Sequence, residues 1–162
     1  APVTVEPSVA QAAMIGNPVS FPRVKYFAEQ FEAQGEGMFQ VIQVSEQAII
    51  EGMLLANRHG HIACTQGGEC LAGLRRALEL GIVSDSELSI LDATAHSLKF
   101  IGFQEMYFTD SFPPEFGITP KKELVNQPRL LIDAAEKERL EPQDYYLSAA
   151  QAAADLLGLK KK

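Results

Sequence analysis

The sequence predicts an α/β chain, a three-layer α/β/α arrangement with a mostly parallel sheet. Three observations predict it. Between Phe39 and about Phe103, short apolar runs alternate with amphipathic stretches in the order β-α-β-α-β-α. Helical crossovers between strands imply a parallel sheet covered on both faces. The stretch from Gly60 to Gly81, "GHIACTQGGECLAGLRRALELG", reads as strand, glycine turn and helix. Finally, 162 residues with 46% hydrophobic and 22% charged content suit one soluble globular domain with a proper core.

The elements follow in order. Residues 1–22 carry Pro2, Pro7, Pro18 and Pro22 as breakers, around a short apolar helical turn. Arg23 to about Ala33 is a helix with Val24, Phe27, Ala28 and Phe31 on one face, and "GEG" at Gly35–Gly37 ends it. "FQVIQV", Phe39–Val44, reads as a strand. Ser45 then caps a helix of about 13 residues, with Ile49, Ile50, Met53 and Leu54 inward. His61–Cys64 is the second strand. It turns through Thr65–Gly68 into a helix with Leu71, Leu74 and Leu78 at helical spacing, closed by Gly81. Leu88–Ala93 is the third strand, and "TAHSLKFIGF" leaves it for another helix. Phe108–Pro120 is a proline-broken loop, and "LVNQPRLL" has no clear pattern. After Pro142 an alanine-rich helix runs to Gly158, with Lys160–Lys162 as a solvated tail. Residues 1–120 are expected to form the α/β domain, and 121–162 an extension ending in this helix.

Charge and composition narrow the partners. A net charge of −7 argues against nucleic acid and anionic membrane. No apolar run approaches the roughly 20 residues needed to span a bilayer, and no signal peptide is visible. The chain begins at Ala1 without an initiator methionine, so it is expected to be a processed product or a piece of something longer. Two cysteines, Cys64 and Cys70, suit a reduced, cytoplasmic setting.

In an open parallel sheet, ligands bind outside the carboxyl ends of the strands. Ser45, Thr65–Gly68 and Thr94–Ser97 occupy such ends, and their hydroxyl and glycine residues suit an anionic or polar small ligand. Plain turn chemistry explains the glycine pair equally well. His59, His61, Cys64 and Cys70 tempt a metal reading. As a strand, however, the run sends His61 and Cys64 to opposite faces, and the spacing matches no usual zinc pattern. Buried free thiols are the simpler reading. Arg75, Arg76 and Glu79 read as a solvated helix face. Ser97 beside His96 lacks a nucleophile elbow.

Three segments resemble a known family. "HGHIACTQGGECLAGLRRALELGIV" is similar to the G-[IF]-x-x-x-P-x-[GS]-A-x-x-[LA]-A-G-L segment of fold-type II pyridoxal-phosphate enzymes. "LDATAHSLKF" resembles their L-T-G-[HS]-G-L-K-D. "AQAAMIGNPVSFPR" resembles the A-x-x-I-x-[IV]-G-N-P-x-S-[WF]-x-K/R stretch of threonine synthases within that superfamily. The three occur in the family's order, from about Gln11 to Ile101.

The resemblance implies the C-terminal half of a fold-type II large domain, and a whole enzyme that converts O-phosphohomoserine and water to threonine and phosphate. That activity is a carbon–oxygen lyase reaction on a phosphate ester, with pyridoxal phosphate as cofactor. It implies that Thr94 bonds the pyridine nitrogen, and that Gln66 and Gly67 lie beside the cofactor ring. Ala95 and Ser97 stand where the family has glycines, Phe100 where it has aspartate, and Thr65 where it has proline. No lysine stands in the S-x-K-[DN] motif that supplies the Schiff base, since Lys25 follows Pro22-Arg23 and Lys99 belongs to the third motif. The isolated chain is therefore expected to be inactive. Its partners are expected to be the missing N-terminal half, a phosphorylated amino acid and further copies of itself. A sister pyridoxal enzyme of the threonine dehydratase or cysteine synthase type, and a non-catalytic binding module, are the alternatives.

Overall fold

In the computed structural model, residues 2–35, 37 and 39–159 are described. Glu36 of the "GEG" stop and the tail Lys160–Lys162 lie outside them. Helix follows helix. Phe21–Gln34 form α1, with Pro22 in its first turn and Gly35 closing it at φ +68°. Ser45 stays extended while its hydroxyl oxygen accepts from Ala48 N at 3.2 Å, which starts α2 (Glu46–Arg58). A short connection leads into α3 (Thr65–Glu79), and Gly81 at φ +68° follows its end. A 3₁₀ turn, Ser97–Phe100, runs into α4 (Ile101–Thr109).

The α2–α3 hairpin carries the core. Ile49, Ile50 and Met53 are buried together with Val9, Ala10 and Tyr107. Val9 is held by its N–H, which donates to Glu46 Oε2 at 2.7 Å. The helices cross backbone to backbone: a Cβ on Gly52 would meet Gly68 O at 2.5 Å, and one on Gly68 would collide with Ile49 O. The buried face of α3 is therefore Thr65, Gly68 and Ala72, while Leu71 and Leu74 are half-buried and Leu78 is exposed. Beyond α4, Phe103 stacks on Phe112 with centroids 6.2 Å apart and meets Phe116 edge-on at 6.0 Å. This aromatic cluster folds the proline-broken loop onto the core.

The predicted parallel sheet is absent among the described residues, and the chain is not a three-layer α/β/α fold. Residues 39–44, 61–64 and 88–93 are not strands. The one isolated bridge among the described residues, Ala63 to His96, is antiparallel. The physical reason is pairing: an apolar run becomes a strand only when a neighbour takes its backbone groups. Here α2 and α3 bury their stripes on each other, so neither needs a sheet beneath it. The first and third runs stay largely in water, with Val41 83%, Leu88 94% and Ile90 91% exposed, while Ala63 and Cys64 of the second are buried without a sheet.

The described chain divides into two compact units, one ending at Val125 and one starting at Asn126. The second holds α5 (Ala134–Arg139) and α6 (Pro142–Leu156). The sequence reading missed α5, although Asp133 accepts from Glu136 N at 2.7 Å in the manner of a capping box. Pro142 opens α6 and Gly158, at φ +65°, follows it, as expected.

Candidate functional site

The first turn of α3 is buried, and little satisfies it. Cys64 at the N-cap makes no side-chain cap, and its carbonyl takes only the Gly68 N–H, at 3.0 Å. The N–H groups of Thr65, Gln66 and Gly67 donate to no acceptor among the described residues. Helix starts normally leave such groups to water or a cap, yet Thr65 is 0% and Gln66 8% exposed. The Gln66 carboxamide adds to the imbalance. Its oxygen accepts from Thr65 Oγ1 at 3.3 Å, while its buried Nε2 has no partner. These donors sit at the positive end of a helix dipole. The arrangement matches a group that only accepts.

Residues 92–97 are tied to this turn on both sides of Thr94. Cys70 Sγ donates to Asp92 O at 3.3 Å, Cys64 N to Ala95 O at 3.2 Å, and Ser97 N to Ile62 O at 3.4 Å. Between them opens a largely apolar cavity of about 480 Å³, bounded by α2 at Leu55 and His59 and by α3 at Gly67 and Leu71. A Cβ on Gly67 would lie 2.9 Å from Ala63 Cβ and 3.9 Å from Ala93 Cα, so three small residues keep this wall clear. A flat ring with acceptor atoms fits such a cradle.

The sequence-predicted site residues separate into two sets. Gly67 meets the chain around Thr94, while Gln66 lies beside it in the buried turn and does not line the cavity. Thr94 itself is exposed, one residue on from the cavity-lining Ala93, and its hydroxyl bonds nothing among the described residues. It does not cap the next helical turn, because His96 Nδ1 accepts from Leu98 N at 3.2 Å and fills that role. Ser45 falls outside the set. It opens the other end of the hairpin, where it lines a hollow with Arg75 and Arg76. The expected meeting of three loops at one sheet edge is thus corrected to a meeting of two, because an antiparallel helix pair puts successive helix starts at opposite ends. Gly68 serves the helix crossing and Gly67 the cavity, a division that the glycine pair alone does not signal. Ala63 and Ala93 escaped the sequence reading, since isolated alanines carry no pattern.

Electrostatics sharpen the picture. Burial, and secondarily Glu46, raise the Glu69 carboxyl above the ordinary carboxylate range. Burial, then Glu69 and Asp92, raise the Cys70 thiol. No group of three or more His, Cys, Asp or Glu side chains able to hold a metal occurs among the described residues. No described helix is long and apolar enough to cross a membrane.

No protein-family model matches the chain. A curated relative does: threonine synthase 2, chloroplastic, of Arabidopsis thaliana is 26% identical over 99 residues, which are 61% of this chain and 18% of that protein. The chain is similar to a threonine synthase over this stretch. It spans less than a fifth of that threonine synthase's length.

Proposed function

We propose that the chain is one portion of a threonine synthase, contributing a wall of the pyridoxal-phosphate site. The observation that carries this reading is the tie between residues 92–97 and the first turn of α3. It brings the surroundings of Thr94 against Gly67, two positions that separate motifs single out. Similarity to a threonine synthase, 26% identical over 99 residues, supports the same family.

In this reading the cradle of Ala63, Gly67 and Ala93 would hold the cofactor, and the unmatched donors of the first turn of α3, Gln66 among them, would serve its acceptor atoms. The cofactor supplies an electron sink when bound. The Thr94 hydroxyl would hydrogen-bond the ring nitrogen of the bound cofactor. A neutral partner leaves that nitrogen largely unprotonated, where a carboxylate would hold a proton on it. The largely apolar cavity walls keep bulk water off the ring face. The Schiff-base lysine and the phosphate loop belong to the rest of the enzyme, so the portion by itself is inactive.

The test is to sequence the gene on both sides of this reading frame, express the whole product and assay it with O-phosphohomoserine. Threonine and phosphate released in equal amounts by the whole product, with none from the isolated chain, is the expected result. A whole product that lacks an S-x-K motif and releases no phosphate overturns the reading.

A further inference from the structure

A second cavity, of about 330 Å³, lies between α2 and α4 and is closed by residues 121–124. Leu55 borders both this cavity and the one beside Gly67. Lys121 is fixed from two sides, its Nζ 3.6 Å from Glu51 Oε1 and its N–H donating to Tyr107 Oη at 3.1 Å. Glu51 and Lys121 neutralise each other. Arg58 has no ion-pair partner among the described residues, so the cavity holds one surplus positive charge in a chain of net charge −7.

The hydrogen bonds are equally one-sided. Tyr107 is fully buried, and its hydroxyl, already accepting from Lys121, gives its own proton to no acceptor among the described residues. Asn57 uses its amide oxygen on Ala63 N at 2.8 Å, and its NH₂ has no acceptor among the described residues. Gln104 is half-buried and unpartnered among the described residues. The remaining wall, Leu54, Phe108 and Leu124, is apolar. An arginine in the last turn of α2 would also favour the negative end of that helix. That role needs no cavity and leaves the Tyr107 proton unexplained.

We propose that this cavity binds a small organic monocarboxylate. One surplus charge matches a monoanion, the planar guanidinium matches a carboxylate, and the apolar wall takes a hydrocarbon or aromatic body. The proposal stands apart from the cofactor reading and shares none of its named contacts.

Benzoate is the probe, titrated into the full ¹⁵N-labelled chain and followed by amide shifts. Saturable shifts at Asn57, Arg58, Gln104 and Leu124 are expected. Benzamide, the same body without the charge, should bind about tenfold more weakly. Arg58→Met, at an exposed position that leaves the helix intact, should weaken benzoate about tenfold. Tyr107→Phe should weaken it several-fold while keeping the ring packed. Shifts that do not saturate, or that map instead to His59, Gly67 and Ala93, overturn the proposal. So does an Arg58→Met variant that binds benzoate as well as the parent. Phenyl phosphate binding more tightly than benzoate would overturn the monocarboxylate assignment.

Discussion

Two side chains two positions apart, one hydroxyl and one imidazole, divide the labour at residue scale. His96 caps the turn that precedes α4, and Thr94 caps nothing. Thr94→Ala should therefore leave the melting temperature unchanged, while His96→Ala costs about 0.5–1 kcal/mol, the value of a lost cap. Thermal unfolding of the isolated chain checks both. A clear loss of stability in Thr94→Ala would mean that the hydroxyl has a structural partner. On the proposed threonine synthase reading, the same variant should lower turnover of the whole protein, and Thr94→Ser should retain most of it. Glu69 offers a pH test. Its folded-state carboxyl is raised by burial and then by Glu46, so the folded chain holds that proton to higher pH than the unfolded chain does. Stability consequently falls as pH rises through the window above the ordinary carboxylate value. Glu69→Gln should raise the melting temperature at neutral pH and leave it unchanged well below 4.5, where the parent is protonated in both states. Equal effects at both pH values would exclude burial of charge as the cause.

Helix pairs, rather than strands, set the geometry at the scale of elements. The crossing of α2 and α3 rests on Gly52 and Gly68, and a methyl group on Gly68 would strike backbone rather than a flexible side chain. Gly68→Ala should cost about 1–3 kcal/mol by overpacking. Gly73, in the same helix, has nothing within 4 Å of where its Cβ would be. Gly73→Ala should stabilise the chain by about 0.5–1 kcal/mol through helix propensity. Denaturant unfolding of the pair distinguishes packing from propensity, since propensity alone makes both variants more stable.

Unpartnered apolar surface marks the molecule as a whole. Val24, Phe27 and Phe31 of α1 are exposed and line a groove with Phe39, and Leu88 and Ile90 stand in water. The chain is expected to self-associate at micromolar concentration, as measured by light scattering. A clean monomer that binds no hydrophobic dye would contradict this. Incubation with pyridoxal phosphate, borohydride reduction and peptide mapping should label no lysine selectively. Stoichiometric labelling of one lysine would mean that the chain carries its own Schiff-base residue.

Local signals were legible in the sequence because they act over a few residues. Ser45 as a cap, the inward face Ile49, Ile50 and Met53, the stop at Gly81 and the helix after Pro142 all depend on hydrogen bonds or spacing within one or two turns. Gln66, Gly67 and Thr94 enter the candidate site for another reason, their position within family-like motifs, and of these the fold brings Gly67 against the chain around Thr94. The sheet was misread because apolar runs report a preference for burial or extension, whereas a strand exists only with a partner at the right distance. The Gly52–Gly68 contact, the small wall of Ala63, Gly67 and Ala93, and the meeting of Arg58, Tyr107 and Lys121 join residues far apart in the chain. No local pattern encodes such meetings. They follow from how closely two helices approach, and only the folded chain decides that.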